Sequence, residues 1–125
     1  MPRRKIMIVD DAEDLIELTR RFLQSNGYEV VALTDGESAF ETIKQEMPDL
    51  VLLDMIMPGK DGAQICQEIK SDTTTRHIPV ILSTGQMLEP SDFSQEGLTG
   101  AEEYLMKPFD IDQLLDKIKG LLPDS

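Results

Sequence analysis

Residues 49–62 read Asp-Leu-Val-Leu-Leu-Asp-Met-Ile-Met-Pro-Gly-Lys-Asp-Gly. Leu50, Val51, Leu52 and Leu53 form an unbroken apolar run, and Asp54 ends it. A half-exposed strand alternates apolar with polar side chains, whereas a continuous run of this length suits a strand covered on both faces. Just downstream, Ala63, Ile65, Cys66 and Ile69 recur at helical spacing. A doubly covered strand followed by an amphipathic helix is the building unit of a parallel sheet, because parallel neighbours need a crossover between them.

The same unit repeats on either side. Short apolar runs occur at residues 6–9, 29–33, 80–82 and 104–106. Leu15, Ile16, Thr19, Phe22 and Leu23 form one helical face, closed by the C-cap signal Asn26-Gly27. Ala39, Phe40 and Ile43 form another, stopped by Met47-Pro48, and Ile111, Leu114, Leu115 and Ile118 form the last, ended by Gly120 and Pro123. Residues 86–100 read QMLEPSDFSQEGLTG and fit the pattern poorly, with Pro90, Gly97 and Gly100 among few large apolar side chains. Topology places a helix there. The composition predicts a short one, starting near Ser91 and less stable than its neighbours. The reading is one α/β domain over residues 1–125, a (βα)5 doubly wound parallel sheet with helices on both faces, with no linker and no room for a second domain.

Charge narrows the function classes. Asp and Glu number 24 against 12 Lys and Arg, a formal net charge of −12. Binding nucleic-acid phosphates needs a surplus of bases, and anionic membrane surfaces repel such a chain. Most of this acid reads as ordinary solvated surface. The single Cys66 cannot form an internal disulfide and sits between Ile65 and Ile69, which reads as a core thiol in a reducing compartment. The basic start precedes an apolar run of only Ile6, Met7, Ile8 and Val9, too short for a signal peptide or a membrane span. A cytoplasmic location is the expectation.

In an open parallel sheet, ligands bind beyond the carboxyl ends of the strands. Asp10 and Asp11 follow the first run, Asp54 ends the third, Thr84 and Gly85 follow the fourth, and Lys107 and Pro108 follow the fifth. Three carboxylates, a hydroxyl and an ammonium therefore converge on one edge. Clustered carboxylates repel one another, and a hard divalent cation such as Mg²⁺ relieves that while also accepting a phosphate oxygen. A carboxylate in such a site can act as a nucleophile on phosphorus. Lys107, the Thr84 hydroxyl and backbone N–H groups at residues 55, 56 and 85 would balance the transferred charge. Taken singly, each residue also has a plain reading. Asp10-Asp11 would serve as a helix cap, Asp54 as a loop acid, Lys107 as a surface partner of Asp11, and Thr84 as a cap.

The chain resembles the receiver domain of two-component response regulators, the family of the chemotaxis protein CheY. The motifs are IMIVDD (residues 6–11), DLVLLDMIMPGKDG (49–62), IPVILSTG (78–85) and GAEEYLMKPF (100–109), and they cover essentially the whole chain. The resemblance implies the strand order 2-1-3-4-5. It implies that Asp54 accepts a phosphoryl group from a sensor histidine kinase or phosphotransfer protein. Asp10, Asp11, Asp54 and the backbone carbonyl of Ile56 would hold Mg²⁺. Thr84 and Tyr104 would form the switch, Lys107 would pair with the phosphoryl group, and the backbone of Met55, Ile56 and Gly85 would bind it. Met57, Pro58 and Gly62 would shape the loop after Asp54, and the Lys107–Pro108 bond is typically cis in the family. Tyr104 also reads as ordinary sheet material on an edge strand.

Ile56 and Gln86 occupy the family's rate-tuning positions. Ile56 cannot position a water through its side chain, so the resemblance implies a long-lived aspartyl phosphate. No Lys or Arg occurs between Arg76 and Lys107, while Glu89, Asp92, Glu96, Glu102 and Glu103 do. This predicts an acidic output face and a downstream protein target with a basic docking patch.

Other classes compete with this reading. A haloacid-dehalogenase-type phosphatase needs Asp-x-Asp at the first strand, but Ala12 stands two after Asp10. A nucleotide hydrolase needs G-x-x-x-x-G-K-[ST], but Asp61 follows Gly59-Lys60. A flavodoxin-like FMN site would be repelled by Asp10-Asp11. A pseudo-receiver used only for docking stays open, as do the choice between stand-alone protein and excised domain, and that between monomer and phosphorylation-dependent dimer. The leading expectation is a signalling switch that assists its own phosphorylation and dephosphorylation and is not a conventional enzyme.

Overall fold

The computed structural model describes residues 3–55, 57, 60–84, 100–107 and 109–122. Among them the chain runs β1 (Lys5–Val9), α1 (Glu13–Ser25), β2 (Glu29–Leu33), α2 (Ala39–Glu46), β3 (Leu50–Asp54), α3 (Gly62–Ser71), β4 (Val80–Thr84), β5 (Glu103–Met106) and α4 (Ile111–Leu121). The helix expected between the fourth and fifth strands lies outside the described residues, apart from Gly100.

The five strands form one sheet in the order β2-β1-β3-β4-β5, all parallel. The period-2 geometry of a strand sends alternate side chains to opposite faces, and the core divides accordingly. Met7, Val9, Val51, Leu53, Val80 and Leu82 pack with Ala39, Ile43, Ile65, Cys66 and Ile69 of α2 and α3. Ile6, Ile8, Leu50, Leu52, Ile81 and Leu105 pack with Ile16, Leu23, Leu114 and Ile118 of α1 and α4. Both faces of the central strands are thus covered, which is why β3 is buried at every position and reads as an unbroken apolar run.

Helix ends follow from local chemistry. Asp61 accepts the Gln64 N–H at 2.9 Å while the Gln64 side chain accepts the Asp61 N–H at 3.2 Å, a reciprocal cap that starts α3. The same arrangement of Asp110 and Gln113 starts α4. Gly27 has φ of +94°, a left-handed conformation just after α1 that suits glycine.

The registers place the chemistry. Val9 pairs with Leu53, Leu53 with Leu82, Asp54 with Ser83, and Thr84 with Met106. The carboxyl ends of β1, β3, β4 and β5 therefore lie along one edge. From β1 the chain first goes outward to β2 and then returns to β3 on the other side, so β1 and β3 flank the point where the winding reverses.

Candidate functional site

Asp10 follows the last residue of β1, and Asp54 is the last residue of β3. Both are buried, whereas Asp11 is exposed. Carboxylate oxygens of Asp10, Asp11 and Asp54 lie within 4.8 Å of one another. Asp10 uses one oxygen, Oδ1, to accept the Ala12 N–H at 2.9 Å, which fixes its orientation at the entry to α1. Its other oxygen, Oδ2, accepts from Lys107 Nζ at 2.8 Å.

Lys107 follows β5 and reaches back across the edge. Its ammonium lies 2.8 Å from Asp10 and 3.4 Å from Asp54, and the side chain is 21% exposed. Burial works to lower its pKa, but the hydrogen bond and charge of Asp10 and the charge of Asp54 outweigh that and raise it above the usual lysine value. Lys107 is therefore charged at neutral pH and partners Asp10 and Asp54 rather than Asp11. Its backbone N–H donates to the Thr84 carbonyl at 2.7 Å, tying the lysine to the end of β4. Thr84 is fully buried. Tyr104 on β5 is half-buried and packs against the α2–α3 side of the core.

The donor set fits a hard divalent cation. Three carboxylates in a partly desolvated pocket carry more negative charge than one ammonium offsets, and oxygen ligands alone suit Mg²⁺. The plain readings fare unevenly. Asp10 does accept an N–H at the entry to α1, yet the N-cap residue is Ala12 and makes no side-chain cap. Thr84 is the last residue of a strand.

Met55 needs a correction. The expectation gave its backbone N–H to the phosphoryl group, but that N–H donates to the Ser83 carbonyl at 2.7 Å and extends the β3–β4 ladder. A donor already used by the neighbouring strand is not free for a ligand. Ile56, Pro58, Gly85, Gln86 and Pro108 lie outside the described residues. The acidic face also looks different in three dimensions. Glu102 pairs with Lys70 and Glu103 with Lys117, each at 2.9 Å, so bases distant in sequence balance two of the five acids. Glu89, Asp92 and Glu96 lie outside the described residues.

Sequence reasoning missed two features beside the site. The cap of α3 was available in the Asp-x-x-Gln pattern of residues 61–64. The close approach of Gly36 to residue 60 had no local signal, because it joins two separate connections.

Fold and site together define the class: a CheY-like parallel α/β protein with an acidic pocket and a lysine at the carboxyl edge of its sheet. A family model described as the response regulator receiver domain matches residues 6–119. The response regulator PleD of Caulobacter vibrioides is 39% identical over 118 residues, which is 94% of this chain and 26% of PleD. A CheY-like receiver domain protein from Methanospirillum hungatei has a TM-score of 0.88 at 27% identity, covering 98% of this chain and 96% of that one. The receiver domain of the sensor histidine kinase PA1611 from Pseudomonas aeruginosa, solved with a magnesium ion in its active-site cleft, has a TM-score of 0.86 at 26% identity over 98% and 99% of the two chains. The chain belongs to the receiver domain family of two-component response regulators. It spans about a quarter of PleD and about half the length of other curated relatives.

Proposed function

We propose that this receiver domain is a phosphorylation-controlled switch in which Asp54 is the phosphoacceptor. The observation that carries the reading is the meeting of Asp10, Asp11, Asp54 and Lys107 at the carboxyl edge of the sheet. A carboxylate oxygen of Asp54 attacks the phosphorus of a phosphohistidine on a sensor kinase or phosphotransfer protein. The new O–P bond forms as the N–P bond breaks, and the imidazole nitrogen departs with its electron pair. Asp10, Asp11 and Asp54, with the Ile56 carbonyl, would hold Mg²⁺, which when bound supplies the positive charge that lets an anionic nucleophile meet an anionic phosphoryl group.

The chain's own groups do the rest. Lys107 moves its ammonium between carboxylate and phosphoryl oxygens at little cost, since it already lies 3.4 Å from Asp54. The Thr84 hydroxyl donates to the phosphoryl group, and Tyr104 on the neighbouring strand follows it inward. Donors at Ile56 and Gly85 complete the phosphoryl cradle, and Met55 is left out of it. Ile56 offers no polar side chain to orient an attacking water, which supports a slowly hydrolysed phosphate, with Gln86 as the second tuning position. In this reading the domain assists its own phosphoryl chemistry and is not a conventional enzyme, and residues 1–125 act as one unit.

For partners, we assign the downstream contact to the acid-rich stretch between Arg76 and Lys107, which holds Glu89, Asp92, Glu96, Glu102 and Glu103, and expect a protein with a basic patch. Direct nucleic-acid and membrane binding have no place in it, and the phosphorylated form acts as a monomer or a dimer. Among the described residues no helix is long and apolar enough to cross a membrane. The free, buried Cys66 supports a reducing, cytoplasmic setting.

The test is incubation with acetyl phosphate and Mg²⁺, read by intact mass. The expected result is one added phosphoryl group on the wild type and none on Asp54→Asn. No adduct on the wild type would make the domain a docking module, and an adduct retained by Asp54→Asn would move the acceptor elsewhere.

A further inference from the structure

Gly36 lies in the connection between β2 and α2 and is buried. A Cβ there would stand 2.0 Å from the carbonyl oxygen of Lys60, 3.0 Å from its carbonyl carbon and 3.2 Å from Ile65 Cδ1. Gly36 is not among the residues with positive φ, so the obstacle to a side chain there is space rather than a left-handed backbone. The nearest obstacle is main chain, which cannot rotate aside as the tip of a side chain can.

Lys60 lies two residues before α3, in the connection that follows Asp54. The start of α3 is as tightly fitted. A Cβ at Gly62 would stand 2.3 Å from the Asp54 carbonyl oxygen and 3.0 Å from Met55 Cα. The Gly62 N–H donates to the Met55 carbonyl at 2.9 Å, and Asp61 is held by its reciprocal cap with Gln64. A push on the Lys60 carbonyl therefore has one intervening residue, Asp61, in which to dissipate before it reaches backbone packed on Asp54.

We propose that Gly36 is a positioning residue for the Asp54 site. Its lack of a side chain seats the Lys60 carbonyl and so fixes Lys60, Asp61 and Gly62 against the end of β3. The proposal rests on the reading of Asp54 as phosphoacceptor with a cation beside it. A methyl at position 36 would have to displace the Lys60 carbonyl by about 1 Å, a large movement in a close-packed interior. The loss then falls on ligand geometry at the site as well as on packing.

The experiment compares wild type, Gly36→Ala, Gly36→Ala with Ile65→Val, and Gly120→Ala, whose Cβ would meet nothing within 4 Å. Mg²⁺ affinity is measured by calorimetric titration on protein shown to be folded by circular dichroism, and phosphorylation by acetyl phosphate is followed by intact mass. Gly36→Ala is expected to weaken Mg²⁺ binding about tenfold, the low end of the loss seen when a hydrogen-bonding partner of a metal ligand is removed, since Gly36 acts at one remove further. Gly120→Ala should match the wild type. The double variant relieves the Ile65 contact and not the carbonyl one, so it should stay weak; a Gly36→Ala protein that does not fold would make Gly36 a residue of the fold at large and overturn the proposal. Wild-type affinity in either Gly36 variant, with a lowered melting temperature, would reduce Gly36 to packing and overturn the proposal. Absence of an adduct on the wild type would instead remove the phosphoacceptor reading, and this proposal with it.

Discussion

Burial raises the Cys66 thiol to about 12, with Lys70 pulling it down and Glu102 pushing it up. The ordinary value for a thiol, taken for the unfolded chain, is 9.0. The fold therefore favours the protonated form, and this contribution to stability is fully present below pH 9 and is lost as pH rises from there towards 12. At pH 10 the loss amounts to about 1.4 kcal/mol relative to pH 8. Urea unfolding at the two pH values should show that extra fall in the wild type and not in Cys66→Ala, the difference between the two proteins cancelling the titration of the lysines. Parallel slopes would mean that Cys66 is solvated in the fold. The sequence already marked Cys66 as core from its spacing with Ile65 and Ile69. It marked Asp10, Asp54, Thr84 and Lys107 equally well, because a residue at the carboxyl end of a buried parallel strand has only one edge to face. Met55 shows where such reasoning stops. Whether an amide is free depends on the strand beside it, and the Ser83 carbonyl that takes the Met55 N–H is 28 positions away in the chain.

Strand ends in the structure sharpen what the apolar runs suggested. β3 includes Asp54 and β4 includes Thr84, so this carboxylate and this hydroxyl sit on hydrogen-bonded strands rather than on loops. That rigidity suits a site whose groups must be held to within about 0.5 Å. Helix α2 ends less comfortably. The sequence Met47-Pro48 announced a stop, since proline cannot continue a helix, but the form of the stop was not legible. Met47 takes φ of 46° and ψ of 60°, a left-handed cap, and its N–H donates to the Ile43 carbonyl at 2.8 Å. A side chain with a Cβ is strained there, and glycine is the usual occupant. Met47 is 42% exposed, so little packing is lost on its removal. Met47→Gly should stabilise the domain by about 0.5–1 kcal/mol, after allowing for the freer unfolded chain. A rise in the urea midpoint at constant slope would show it, and a fall would mean that the methionine side chain contributes more than its exposure suggests.

The excess of acid links the site to the stability of the domain. A net charge of −12 sets the compact state against itself, and part of that charge is gathered in one place by the parallel topology. Asp10 is balanced by Lys107, Asp54 is within 3.4 Å of the same ammonium, and Asp11 brings a third carboxylate to within 4.8 Å of both. Among the described residues other acids pair with bases distant in sequence, as Glu102 does with Lys70 and Glu103 with Lys117. Monovalent salt can screen all of these alike. A divalent cation held by the three carboxylates acts differently, because it binds the folded arrangement and finds no such arrangement in the unfolded chain. Its effect follows mass action and reaches about 2.7 kcal/mol at a hundred times the dissociation constant. MgCl₂ should therefore raise the melting temperature by several degrees more than NaCl at equal ionic strength. Asp11→Asn provides the cleanest comparison, since Asp11 is exposed and its replacement leaves the Lys107–Asp10 pair intact. That variant should melt close to wild type in NaCl and lose most of the added response to MgCl₂. An equal response to the two salts in the wild type would mean that the carboxylates do not act together on one ion, and that the acid at this edge is ordinary surface charge.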